Sequence, residues 1–350
     1  MSFPYDYNIE DFLQRQYDSR KPAWPVDGPL SGAVSWEDWR SGFRTAFYEM
    51  LGGYPQDVPP LNLQVLKTEK LPGMTRTFLT YDCEHGLTVP AYYLVPDNAS
   101  GKLPAVVAVC GHGYGVRPVV GVDEEGNDFP PGADSGYHKS FGLELCRKGM
   151  VVFAPEMFGF GYLRTKLAID THPFHASCKE ATDRLRMTGR TTGGVRVYQC
   201  VRALEALSQL GHADPQRIGC MGISGGGLVS AFWSALDDRV KASVVSGYAH
   251  VMLTGTMKLA HMHCLDNYFH NMLNLGELTD VLAMVAPRPM LWEAADKDIY
   301  FPIDSALDAA GRLRQVYAAF GVPERFVVDE FAGPHEISGA MAYDFLKKWL

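Results

Sequence analysis

The sequence predicts an α/β fold, with a mostly parallel central sheet flanked by helices and an N-terminal helical extension. From about residue 74 onward, short β-branched runs alternate with amphipathic stretches. Such runs suit strands buried on both faces of a parallel sheet. The chain has 350 residues, 47% hydrophobic and 21% charged, which suffices for one large α/β domain. Its first 70 residues differ in character, being rich in aromatics and prolines. We therefore divide the chain into an extension, 1–73, packed on a main domain, 74–350.

In the extension, Trp36, Trp39, Phe43, Phe47 and Met50 recur at helical spacing, with Ser35 as N-cap and Gly52-Gly53 as stop. In the main domain, residues 76–81 and 88–95 read as an antiparallel pair around Glu84-His85-Gly86. Two buried strands, 104–110 and 150–154, follow. Between them, the acidic, glycine-rich stretch 115–137 reads as a solvated excursion beside a pocket. A helix over 194–210 ends at Gly211, and Asp214-Pro215-Gln216-Arg217 turns the chain into a strand at 218–223. Next come a helix (226–236), a strand (240–246) and an irregular segment, about 250–282, expected to be a lid or pocket wall. A strand at 289–293, a helix at 303–320 stopped by Gly321, a strand at 326–331 and a final helix at 338–350 close the chain. The segments 115–140, 160–190 and 250–280 should set the size of any pocket.

A net charge of −8 argues against a nucleic-acid surface. No stretch approaches the roughly 18 uninterrupted apolar residues of a membrane helix. The start, Met1-Ser2-Phe3-Pro4-Tyr5-Asp6, lacks the basic and apolar pattern of a signal peptide. The seven cysteines form no C-x-x-C pair and mostly sit in apolar runs, as reduced buried thiols do. A cytoplasmic location is the expectation.

The chemistry is concentrated in Gly222-Ile223-Ser224-Gly225-Gly226. A serine hydroxyl is a poor nucleophile near neutral pH, so it needs a base, a steering acid and exposure. A tight strand-to-helix turn supplies the exposure, and Gly222 and Gly226 leave room for it. An apolar strand before and an amphipathic helix after make this more than a chance pattern in a chain with 35 glycines. The base should follow the last strand, where His335 lies in Ala332-Gly333-Pro334-His335-Glu336. The acid should follow the strand 289–293. Glu293 falls too early, on the strand, and Asp304 falls in the first turn of the next helix. Between Asp296 and Asp298, we favour Asp298. It stands four residues before Pro302, as in the G-x-x-D-x-x-x-P acid loops of many such enzymes, although Ala295 replaces the glycine. An oxyanion needs two backbone donors. Gly225 is one candidate, and Tyr114 in Gly111-His112-Gly113-Tyr114-Gly115 is the other, with His112 bracing that loop. The same glycines do not fit a phosphate cradle, since neither a Walker lysine nor G-x-G-x-x-G spacing is present.

Together these motifs resemble the acetyl-xylan-esterase and dienelactone-hydrolase-like branch of the α/β-hydrolases, over about residues 75–350. The resemblance also rests on Gly189-Arg190-Thr191-Thr192-Gly193-Gly194, Ala286-Pro287-Arg288-Pro289 and Pro334-His335-Glu336. Residues 35–70 resemble the N-terminal extension of a bacterial subgroup. The resemblance implies hydrolysis of small, often acetyl, esters with no metal or organic cofactor. Related esterases often assemble, and the aromatic extension is a candidate surface for a homo-oligomer. Three rivals stay open: a prolyl-oligopeptidase-type peptidase, for which 350 residues leave no room for a β-propeller; a lactone or carbon–carbon hydrolase, which often carries Cys at the elbow; and a non-catalytic binding module. His261, His263, Cys264 and Asp266 suggest a zinc cluster, but the surrounding Met and aromatic residues favour a pocket wall, so no metal is expected. Glu156, beyond the strand 150–154, is expected to be structural, with substrate contact or pairing to Arg164 as the alternative.

Overall fold

The computed structural model describes residues 8–97, 99–130, 133–171 and 176–350, so parts of the expected pocket segments (131–132 and 172–175) lie outside it. Nine strands form one sheet: β1 Gln64–Leu71, β2 Met74–Glu84, β3 Leu87–Pro96, β4 Leu103–Val109, β5 Val151–Pro155, β6 Ala213–Ile223, β7 Val240–Ser246, β8 Met290–Ala295 and β9 Phe326–Phe331. Their order is β1-β2-β3-β5-β4-β6-β7-β8-β9. Pairing is antiparallel from β1 to β5 and parallel from β5 to β9. β4, β5 and β7 are apolar and almost wholly buried, as strands covered on both faces must be.

From β4 the chain moves outward to β5, then returns to place β6 on the other side. The order therefore reverses between β4 and β6, and the loops after these two strands open a crevice there. In open α/β sheets this is where ligands bind.

The helix Trp36–Met50 forms as expected, with the Ser35 side chain accepting from the Asp38 N–H at 3.0 Å. Trp39, Phe43 and Phe47 are fully buried in the same core as the sheet. Phe47 packs edge-on against Phe232 of the helix Gly225–Leu236, ring centroids 4.9 Å apart.

The structure corrects three expectations. The division at 73/74 falls inside a β-hairpin, because β1 pairs with β2 across Pro72-Gly73. β1 is an edge strand with Val65 and Leu66 more than half exposed, so no burial alternation marks it in the sequence. The stretch 115–137 is not simply solvated: Val116, Val119, Val120 and Val122 are buried, and Asp128 pairs with Arg76 at 2.5 Å. The final helix spans Ala342–Trp349 rather than starting at 338. Ser338 Oγ donates to Asp329 at 2.7 Å and the Gly339 N–H to Glu293 at 2.7 Å, which holds those residues out of the helix.

Candidate active site

β6 ends at Ile223, and Ser224 makes the turn into the helix Gly225–Leu236 with φ 58° and ψ −120°. A non-glycine residue held there costs about 1–3 kcal/mol, so the surroundings must enforce it. They do so through contacts that admit no side chain. A Cβ on Gly222 would lie 2.3 Å from the Gly226 carbonyl oxygen, and one on Gly226 would lie 2.2 Å from that of Val109. The Ser224 N–H donates to the Ser246 carbonyl on β7 at 3.0 Å. At the far end of the helix, the Arg288 guanidinium donates to the Ser234 and Asp237 carbonyls (2.6 and 3.1 Å). A cation there satisfies the last carbonyls and opposes the helix dipole.

The acid loop follows β8. Asp298 is buried, and its Oδ1 accepts from the Tyr300 and Phe301 N–H groups at 2.8 and 3.0 Å. Its Oδ2 lies 2.6 Å from His335 Nδ1. An ionised carboxylate only accepts, so Nδ1 carries the proton and Nε2 is the basic nitrogen. Asp296 does different work. Its Oδ1 accepts from the Gly333 N–H at 2.9 Å, lacing the acid loop to the histidine loop. Glu293 stays on β8, facing Ser246 Oγ at 2.5 Å, and Asp304 lies in the first turn of the helix Ile303–Ala319.

His335 is packed on several sides. Tyr137 stacks on its ring at 5.7 Å, and Tyr300 meets it edge-on at 5.1 Å. A Cβ on Gly247 would come within 2.8 Å of the ring, so glycine is what lets β7 end beneath it. Ser224, Gly225 and His335 line one cavity of about 510 Å³, with His112, Tyr137, Met262, His263, Cys264, Asn267, Tyr300 and Phe301 among its other walls. The segment 250–282 thus contributes Met262, His263, Cys264 and Asn267 to the wall.

The loop after β4 is braced from below. The Gly111 N–H donates to His138 Nε2 at 3.0 Å, and Tyr137 donates its hydroxyl to the His112 carbonyl at 2.8 Å. Burial, together with the nearby His335 and His112, lowers the His138 imidazole to about 3, which keeps it a neutral acceptor. From this loop His112 faces the cavity, while the Tyr114 ring lies under the Arg117 guanidinium at 5.9 Å. Glu156 is structural in its contacts. Its carboxylate accepts from the N–H groups of Val116, Met157 and Tyr162 at 3.2, 3.1 and 3.0 Å. It is seated between Gly115 and Gly161, where a Cβ would fall 2.3 and 1.9 Å from its oxygens. Burial raises its pKa, and the three amides work against that.

Sequence reasoning missed Tyr137, the last residue of the stretch read as a solvated excursion, and His138 directly after it. It also missed the neighbours of Cys264. His263 Nε2 contacts the Gly255 carbonyl at 2.8 Å, and the suspected His261–His263 cluster does not assemble. Instead, ligand atoms of Cys264 and Asp266 gather with those of His112 and Cys178, all within 4.8 Å of one another.

Residues 184–328 match the prolyl oligopeptidase family. A Bacillus subtilis (strain 168) protein named as a hydrolase, YtaP, is 28% identical over 316 residues, covering 89% of this chain and 100% of that one. Among solved structures, one from Bacteroides fragilis described as an acetyl xylan esterase superposes with a TM-score of 0.74 at 16% identity, covering 93% of this chain and 83% of the other. A glucuronoyl esterase from Solibacter usitatus gives 0.66 at 17% identity, covering 90% and 93%. With this strand order, this elbow and these neighbours, the chain has the α/β-hydrolase fold.

Proposed function

We propose that the protein is a serine hydrolase that cleaves small carboxylic esters of the acetyl type through an acyl-enzyme, with Ser224, His335 and Asp298 as its triad. One observation carries this reading: the His335 imidazole, hydrogen-bonded through Nδ1 to buried Asp298, lines the same cavity as Ser224 on its strained turn. His335 Nε2 takes the hydroxyl proton as Ser224 Oγ attacks the ester carbonyl carbon. The Gly225 N–H, at the positive end of its helix, and the Tyr114 N–H hold the oxyanion. As the C–O bond breaks, His335 returns the proton to the departing alcohol. Water then loses a proton to His335, attacks the acyl-enzyme and releases the acid. Asp298 stabilises the imidazolium at both stages.

The cavity volume suits a small ester, and several similar folds belong to esterases. The reading needs no organic cofactor. The seven cysteines, all free, support the cytoplasmic location that goes with it. Ser224→Ala should lower turnover of p-nitrophenyl acetate by about 10⁴-fold or more while the circular dichroism spectrum stays unchanged. Retention of most of the activity would remove Ser224 from the mechanism. The match of residues 184–328 to the prolyl oligopeptidase family keeps a second reading open, that of a peptidase. Parallel assays on acetyl esters and aminoacyl arylamides separate the two; faster arylamide cleavage would favour the peptidase.

A further inference from the structure

Beside the proposed triad, four residues distant in sequence bring metal-ligand atoms together. His112 leaves β4, Cys178 starts the helix Cys178–Arg186, Cys264 lines the cavity, and Asp266 is buried two residues further on. His112 Nε2 lies 3.2 Å from Cys178 Sγ and 3.6 Å from Asp266 Oδ2, and Cys178 Sγ lies 3.2 Å from Asp266 Oδ2. Zinc at about 2.0–2.3 Å from each of four tetrahedral ligands requires ligand–ligand edges of roughly 3.3–3.8 Å. These three edges lie close to that range, and the Cys264 Sγ completes a group whose ligand atoms all lie within 4.8 Å of one another.

We propose that His112, Cys178, Cys264 and Asp266 bind one zinc ion, closing a four-coordinate structural site on the wall of the cavity. Two thiolates, an imidazole and a carboxylate form a mixed soft and borderline set that suits zinc better than magnesium or calcium. The surroundings balance the charge. Fully buried Arg196 pairs with Asp266 at 2.5 Å and approaches Cys178 Sγ at 3.7 Å. Two thiolates and one carboxylate against one guanidinium leave two negative charges for a dication to cancel. Arg196 is itself fixed, its Nε donating to the Phe158 carbonyl at 2.9 Å and its guanidinium lying 3.9 Å from the Phe160 ring centre. Asn267 donates to the other Asp266 oxygen at 3.2 Å. Such outer contacts orient ligands around bound metals.

Zinc would displace the protons on the two thiols. It would pin the loop after β4 to the wall opposite, next to Gly225, where a Cβ would come within 3.1 Å of the His112 ring.

The test reads metal directly, so it stands or fails separately from the esterase reading. Full-length protein, expressed with zinc and purified without chelator, should hold about one zinc per chain by mass spectrometry of the metal. Cys264→Ser should lose at least about tenfold of that occupancy, while Cys146→Ser, altered outside the cluster, keeps it. Should Cys264→Ser fail to fold, cobalt exchange into the wild type serves instead. Thiolate-to-cobalt charge transfer with tetrahedral d–d bands supports the site, and the octahedral spectrum of free cobalt overturns it. A zinc-free wild type that takes up no zinc under reducing conditions also overturns it, as does a Cys178–Cys264 disulfide in the freshly purified protein.

Discussion

At the scale of single residues, Glu293 carries a consequence of its position in the sheet. It is 3% exposed, facing Ser246 and the Gly339 N–H, and burial pushes its carboxyl up to about 7 against those two hydrogen bonds. In the unfolded chain it ionises near its ordinary value of about 4.3. The folded state therefore binds more protons between these two values, and stability must fall as pH rises through that window. The difference is on the order of 3 kcal/mol, present in full below about pH 4 and gone above about pH 7. Urea unfolding of wild type and Glu293→Gln from pH 5 to 8 should show the variant gaining on the wild type as pH rises. Parallel curves would place the proton elsewhere. The catalytic candidates were legible at this scale because chemistry restricts them to few residue types. Ser224 and His335 stand out from the order of strands and loops, and Asp298 is preferred to Asp296 for its spacing to Pro302. His138, Tyr137 and Cys178 do not stand out, since their roles come from neighbours 27, 25 and 66 positions away.

Elements are held at close range by missing side chains. The strand β6 and the helix Gly225–Leu236 meet at two glycines whose hypothetical Cβ atoms run into backbone oxygen, which cannot move aside as a side-chain tip can. Gly226→Ala should cost about 3 kcal/mol or more in urea unfolding, at the upper end of overpacking effects. A fully stable variant would mean that the turn can relax, and the case for its rigidity would fall. The same logic explains the Thr191-Thr192-Gly193-Gly194 segment. Thr191 caps the helix Thr192–Leu210, accepting from the Gly194 N–H at 3.0 Å and donating to the Leu51 carbonyl at 2.8 Å. Bare Gly193 and Gly194 let Phe269 and the Leu51 backbone approach. Most strands were readable because burial on both faces writes uninterrupted apolar runs. β1 was not, since an edge strand open to solvent needs no such pattern, and its Lys67, Glu69 and Lys70 resemble loop composition.

Across the whole molecule, the N-terminal aromatic helix and the elbow helix share one core. Phe47 touches Phe232, the Trp39–Phe43–Phe47 ladder continues outward, and the Val26 N–H donates to buried Asp280 at 2.8 Å. Phe47→Ala should cost about 3–5 kcal/mol and shift tryptophan fluorescence and ester turnover in a single unfolding transition. Two separate transitions would instead mark the N-terminal part as an independent unit. No described helix is long and apolar enough to cross a membrane. The strand order has one more effect, on biosynthesis. Ser224 and Asp298 leave the ribosome before β9 and His335 exist, and β9 pairs only with β8. Under the proposed mechanism, a chain ended before β9 would carry Ser224 without the base assigned to it. A fragment that stops before Phe326 should therefore show no turnover of p-nitrophenyl acetate, even though it contains Ser224 and Asp298.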